Sequence, residues 1–331
     1  MEAAVRLRVR PDDPAYRRQA EAEAEFWSTP HPLGLEGREE AREPLTPGDF
    51  HENERFTGDP KVAWYETLGR YGTFRRGLVL GTSALRAERR ILETNPGLHL
   101  TFLDLSAAAL ARREAVLGAR FPGRVSQRVA DLNFVELEPG YDLIVSSSSL
   151  HHVTNLEHLA EQINRGLTSN GFFFLNDYVG ETRFRFFPEK KRVFEVLHDR
   201  HVQPELGRPR GVTWRDGSDL SPFCGVRSAE ILAVLRTYLR EVQVRTASTL
   251  LVPLMRSNPL DAGTLPGLTG RQLVWGLLRG AWRRLRGLPP PKLHVSPELM
   301  RDLVLVGDAL SDAGILLPCN AFAVYRKLDD A

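Results

Sequence analysis

The sequence predicts an α/β protein built on a seven-stranded, mostly parallel sheet with helices on both faces. Two observations predict it. Short apolar runs of strand length alternate with helical stretches of about a dozen residues, the signature of βαβ units. The runs also end on small or acidic residues, where an open parallel sheet presents its ligand-binding edge. The runs are Gly77–Leu80, Leu98–Leu103, a third closing near Asp131, Tyr141–Ser149 and Gly171–Leu175.

The elements follow in order. Residues 12–27 read as a polar, charged helix starting near Asp13 and Pro14. The stretch 28–37 is broken by prolines and glycines and cannot continue it. Residues 42–59 read as a loop, and a short helix follows from Pro60. Residues 1–72 are therefore expected to form a helical, loop-rich N-terminal cap. The helical stretches 84–96, 106–123 and 155–167 separate the strands, with Ser106 as an N-cap. Beyond Asp177 the alternation loosens. An amphipathic helix spans 228–239, a sixth strand 241–251, a helix capped by Ser296 spans 296–314, and a last strand 320–327. A final helix and strand after the sixth strand suit an antiparallel seventh strand at the sheet edge. Residues 73–331 are thus expected to form one domain, with insertions near 183–222 and 255–295.

Composition narrows the function classes. Of 331 residues, 42% are hydrophobic and 26% charged, which argues against a disordered chain, a coiled coil or a collagen-like repeat. Lys and Arg number 44 against 42 Asp and Glu, a net charge of +2 that gives no global pull on nucleic acid. Two cysteines cannot build a disulfide framework or a four-thiolate metal site, and a reducing cytoplasm is the expected compartment. The N-terminus has no apolar signal region, and no run approaches the roughly 18 apolar residues of a membrane span.

The residues just beyond the strands are Gly81 to Ala84, Asp104, Asp131 to Asn133, Ser146 to His152 and Asn176 to Tyr178. Asp104 closes the second strand about 23 residues beyond the first loop glycine, a placement suited to two hydrogen bonds from a ribose. The plainer reading is an aspartate favouring a helix N-terminus. Asp131 suits the exocyclic amine of an adenine with Leu132 over the ring, or else is a solvated turn aspartate.

In order and spacing these residues resemble the class I S-adenosylmethionine (SAM)-dependent methyltransferases, in particular a bacterial small-molecule subset. The resemblance runs through Arg55–Asp59, Glu88-Arg89, Leu103–Ser106, Asp131–Asn133, Tyr141–Val145, Ser149–Val153, Asn155–Glu157 and Asn176–Gly180, and spans roughly residues 53–328. It implies a Rossmann-like sheet with its last strand antiparallel and SAM across the strand ends. The implied contacts are Gly81, Thr82, Ser83 and Ser147 toward the methionine part, and Asp104, Leu105, Asp131, Leu132 and Asn133 toward the adenosine. The first loop departs from the family. Where Gly-x-Gly-x-Gly is usual, only Gly81 remains, with Ser83 and Leu85 in the other two places. Glycines there let backbone approach the cofactor. The departure implies either weaker SAM binding or a pocket turned to another use, such as a cyclisation, an elimination or a regulatory role.

The expected reaction, methyl transfer to an oxygen or nitrogen of a small-molecule or sugar-like metabolite, asks mainly for alignment, with a base to take the acceptor's proton. His151 and His152 are the candidate bases, and Asp177 and Tyr178 the candidate substrate-positioning residues. Each has a packing role as its alternative. The set His151, His152 and Asp177 has no diagnostic metal spacing, so no metal is expected. Ser146–Ser149 lacks a nucleophile elbow, which leaves a hydrolase poorly supported. A basic amphipathic stretch at 270–288 reads as a lid on the protein in preference to a membrane-surface helix, and Pro289–Pro291 stops it.

Overall fold

The computed structural model describes residues 7–28, 47–82, 85–202, 212–214, 220–258 and 297–328. Ser83, the stretch 270–288 and the expected cap Ser296 lie outside the described residues. The chain divides into two compact units, one from residues 1–185, 217–247 and 317–331, the other from 186–216 and 248–316.

The first unit holds the sheet. Its strands are β1 (Arg76–Leu80), β2 (His99–Asp104), β3 (Val125–Val129), β4 (Tyr141–Ser147), β5 (Leu167–Tyr178), β6 (Leu239–Ala247) and β7 (Asn320–Lys327). They lie in the order β3-β2-β1-β4-β5-β7-β6. Strands β1 to β5 pair in parallel. β7 is antiparallel to both neighbours, as expected of the last strand. It does not lie at the edge, however: it inserts between β5 and β6, and β6 is the edge strand. The composition fits this order, since β7 is buried along most of its length while β6 is largely exposed. The expected sixth strand also ends earlier, at Ala247, where Ser248 takes a left-handed φ of 63° and turns the chain.

Side-chain alternation along the strands feeds two cores. Leu78, Leu80, Ile144, Phe173 and Leu175 face one side. There they meet helices α5 (Leu156–Gly166) and α7 (Ile231–Tyr238). Val79, Phe102, Val145 and Phe174 face the other. There they meet α3 (Leu85–Thr94) and α4 (Ala107–Arg120), whose N-cap is Ser106 accepting from Ala109 N–H. The N-terminal helix α1 spans Pro14–Ser28. A second helix, α2 (Pro47–Thr57), stands where a loop was expected, and its Phe56 enters the α3/α4 core. The expected helix from Pro60 resolves into two short 3₁₀ turns, Trp64–Glu66 and Leu68–Arg70.

The second unit packs α6 (Pro188–Val202), α8 (Leu251–Arg256) and α9 (Pro297–Asp312) around Phe194, Leu254, Leu299 and Leu303. A two-residue antiparallel ladder, Thr213–Trp214 with Ser257–Asn258, completes it among the described residues. Among those residues no helix is long and apolar enough to cross a membrane.

One ion-pair fork braces the first unit. Arg227, nearly buried, donates to both oxygens of Glu157 at 2.6 and 2.7 Å and to Glu230 at 2.6 and 3.1 Å. The hydrogen bonds from Arg227 hold the Glu157 carboxyl at about 2, against an ordinary 4.5. The folded chain therefore binds this proton less readily than the unfolded one, so the contribution is complete above about pH 4.5 and is lost as pH falls toward 2. Glu157→Gln is expected to flatten the fall in stability across that window. Urea titrations at stepped pH check this, and an unchanged acid slope would contradict it.

Candidate functional site

The first strand end is shaped by a glycine and a buried ion pair. Gly81 has a φ of 84°, and an added Cβ would strike the Ser149 side chain, so only glycine fits this turn. Its role here is to pass Ser149. The next residue, Thr82, is held by Arg113, which donates to the Thr82 carbonyl at 2.5 Å and pairs with Glu88 at 3.1 Å. Leu85, at the position of a missing loop glycine, starts α3 and is buried in the core beside Val79 and Phe102.

Asp104 stands at the adjoining strand end. One of its oxygens accepts from the Thr82 hydroxyl at 2.7 Å and the other from Ser106 N–H at 2.8 Å. Burial raises its pKa above the ordinary carboxylate value, against the pull of these donors. Ala130 N–H donates to the Asp104 carbonyl at 2.9 Å, so the segment carrying Asp131 runs directly beside it.

Asp131 is already engaged. The Tyr16 hydroxyl of α1 donates to its Oδ2 at 2.6 Å, and the backbone and side-chain amides of Asn133 donate to its Oδ1 at 2.9 and 3.1 Å. Asn133 also donates to the Tyr16 oxygen at 2.8 Å. Tyr16 stacks on Phe223 with centroids 5.5 Å apart and meets the edge of Phe134. Burial, then Asp131, raises its hydroxyl pKa well above that of a free tyrosine. The face expected to receive an adenine amine is thus covered by α1. Asn133 looks the other way as well, its Oδ1 accepting from Thr154 and Asn155 N–H at 2.7 and 2.9 Å.

The ends of β4 and β5 carry the densest chemistry. Asp177 is buried and accepts from Ser149, Leu150 and Tyr178 N–H at 3.0, 2.8 and 2.7 Å. It also meets His151 Nδ1 at 2.5 Å. A carboxylate only accepts, so Nδ1 carries the proton. His152 makes the parallel contact at 2.8 Å from Nδ1 to Glu23 of α1. Glu23 is itself buried and accepts from Ser221, Phe223 N–H and Trp27. The two imidazoles lie 4.2 Å apart, and the Cys224 thiol lies within 4.8 Å of a ring nitrogen of each. Burial opposes charge on His151, but Asp177 raises its pKa. Burial resists the Cys224 thiolate, and the two histidines bring that thiol down.

The remaining expected residues sit around these groups. Tyr178 is buried, stacked on Phe184 at 4.2 Å, with its hydroxyl donating to the Glu181 carbonyl at 3.0 Å. Leu105 and Leu132 are half-buried near the two aspartates in sequence, and Ser147 is buried at the end of β4 with its carbonyl bonded by Ser149. Tyr16, Glu23, Ser221 and Cys224 were not among the expected residues. Tyr16 and Glu23 do leave a trace, since Tyr16, Ala20, Glu23 and Trp27 share one helical stripe. Cys224 leaves none, because its partners are more than 70 positions away.

Residues 78–173 match the family profile of a methyltransferase domain. No curated protein sequence matches the chain. Among solved structures, geranyl diphosphate C-methyltransferase from Streptomyces coelicolor A3(2), bound to Mg2+, geranyl-S-thiolodiphosphate and S-adenosyl-L-homocysteine, aligns with 97% of this chain and 100% of its own at 12% identity and a TM-score of 0.51. Haemonchus contortus phosphoethanolamine N-methyltransferase 2, bound to phosphomonomethylethanolamine and S-adenosylhomocysteine, aligns with 93% of this chain and 61% of its own at 15% identity and a TM-score of 0.46. The (4+2)-cyclase SpnF aligns with 94% of this chain and 97% of its own at 12% identity and a TM-score of 0.48.

Two substitutions test this geometry. Tyr16→Phe leaves the half-buried Asp131 carboxylate short of a donor and is expected to cost about 1–3 kcal/mol of stability. Gly81→Ala forces a side chain into a left-handed turn against Ser149 and is expected to cost more than about 1 kcal/mol. Urea denaturation measures both, and wild-type stability in either variant would contradict the account of that residue.

Proposed function

We propose that the chain, whose residues 78–173 match a methyltransferase domain, transfers a methyl group from SAM to an oxygen or nitrogen of a small-molecule or sugar-like acceptor. The observation that carries this reading is Asp104. Its oxygens accept from the Thr82 hydroxyl, Thr82 N–H and Ser106 N–H, three neutral donors against about four lone-pair sites, so capacity for a further donor remains. Burial leaves the carboxylate short of solvation, so a ribose diol is a fitting addition. SAM supplies an electrophilic methyl. Leu105 and Leu132 offer apolar surface for the adenine ring. Asp131 becomes available to an adenine amine once Tyr16 releases it, which makes α1 the element that yields on binding.

His151 and His152 belong to the acceptor side of this reading. Their Nδ1 atoms are fixed by Asp177 and Glu23, so the opposite ring edges are the ones offered to an acceptor. Asp177 is a positioning residue that sets the His151 ring. Tyr178, packed on Phe184, lines the same side. The main contribution of this set is alignment of the acceptor with the methyl group.

A second reading, a methyltransferase fold turned to non-methylating or regulatory work, is favoured by Tyr16 over Asp131. Calorimetry with SAM and with S-adenosylhomocysteine separates the two. Methyl transfer predicts binding of both ligands, weakened by Asp104→Ala about tenfold to a hundredfold, the range set by loss of charge-assisted hydrogen bonds. Absence of heat with either ligand, from a folded chain, would contradict it.

A further inference from the structure

We propose that His151, His152 and Cys224 hold a zinc ion. Their ligand atoms all lie within 4.8 Å of one another. A tetrahedral zinc bonded to two imidazole nitrogens and a thiolate needs separations of roughly 3.5 Å, so modest side-chain closure completes the site. One sulfur and two nitrogens form a donor set suited to zinc, and no hard oxygen ligand competes among the three.

The surroundings are built as a ligand shell is built. A metal-binding histidine commonly donates its second ring N–H to a carboxylate, which fixes the tautomer and aims the free nitrogen. Both histidines do this here. His151 Nδ1 is on Asp177 at 2.5 Å and His152 Nδ1 is on Glu23 at 2.8 Å, which leaves both Nε2 atoms as ligands. The two carboxylates are nearly buried and braced in turn. Asp177 takes three backbone N–H bonds, and Glu23 takes bonds from Ser221, Phe223 N–H and Trp27.

The cysteine is tied to the same frame. Cys224 N–H donates to Ser221 O at 3.0 Å, Val226 N–H donates to His151 O at 3.0 Å, and Arg183 donates to Cys224 O at 3.1 Å. The thiol therefore sits on a turn bonded to the histidine turn itself, before any ion arrives. Two histidines could each find a carboxylate for packing reasons alone. That both do so with a ring nitrogen of each within 4.8 Å of one nearly buried thiol points to a ligand.

Three protein ligands leave a fourth position open, the pattern of catalytic zinc. The ion's role, though not its presence, rests on the methyl-transfer reading: it would bind the acceptor's hydroxyl oxygen and ease loss of its proton to solvent, and that oxygen would then form the bond to the methyl carbon as the carbon–sulfur bond of SAM breaks and S-adenosylhomocysteine leaves. The acceptor class is then a small molecule carrying an ionisable hydroxyl.

The test uses the full chain, purified without a metal-binding tag, loaded with zinc and passed through chelating resin. Elemental analysis is expected to find about one zinc per chain. Cys224→Ser and His152→Ala should each lower that at least tenfold with native circular dichroism. Cobalt in place of zinc should give a thiolate-to-cobalt charge-transfer band in the wild-type chain, a readout that stands even if a variant misfolds. Asp104→Ala should keep its zinc while losing SAM affinity, so the metal and the cofactor can fail separately. A folded wild-type chain without retained zinc or a cobalt–thiolate band would overturn the proposal. So would zinc retained equally by Cys224→Ser, or retention of copper in its place.

Discussion

The carboxylate of Asp177 is the constraint on which the site depends. It lies at the end of β5, buried, and gathers backbone N–H groups from Ser149, Leu150 and Tyr178 together with the His151 ring. A buried carboxylate is costly unless its lone pairs are met, and here four donors meet it. The result fixes the turn after β4 to the neighbouring strand. Ser149 then closes over Gly81, and the end of β1 is set in turn. Three strand ends are thus locked through one acidic side chain.

The N-terminal helix is bound into the same edge by two polar side chains two turns apart on one helical face. Tyr16 reaches Asp131 and Asn133, while Glu23 reaches His152, Ser221 and the Phe223 backbone. Both contacts are hydrogen bonds to groups with chemistry of their own. Such a cover is specific in the closed state yet can be exchanged for ligand contacts of like kind, since a ligand offering equivalent donors leaves no buried group unmet. This reconciles a strand end at Asp104 that can take a further donor with a neighbour at Asp131 that is already satisfied.

Much of the sheet was legible because β1 to β5 are apolar runs closed by Gly81, Asp104, the Asp131 segment, the serines after β4, and Asn176-Asp177. Their burial is dictated locally by side-chain type. The position of β7 was not legible, because pairing order among the last strands depends on long-range burial and not on local pattern. Helix α2 was missed because PGDFHENERFT is polar nearly throughout and shows no periodic apolar face; Phe56 carries it into the apolar core. At the site, Asp104 and the two histidines were legible from their place after strands. Glu23 and Cys224 beside the histidines, and Tyr16 on Asp131, come from segments far away in sequence, and only the fold brings them in.

The central claim is that a nucleoside lies across the ends of β1 and β2 with its ribose on Asp104. A crystal structure of the chain with S-adenosylhomocysteine tests this most directly. The account predicts both ribose hydroxyls within hydrogen-bond reach of the Asp104 carboxylate, with the adenine beside Leu105 and Leu132. A ligand bound elsewhere, with Asp104 still held only by Thr82 and Ser106, would contradict it.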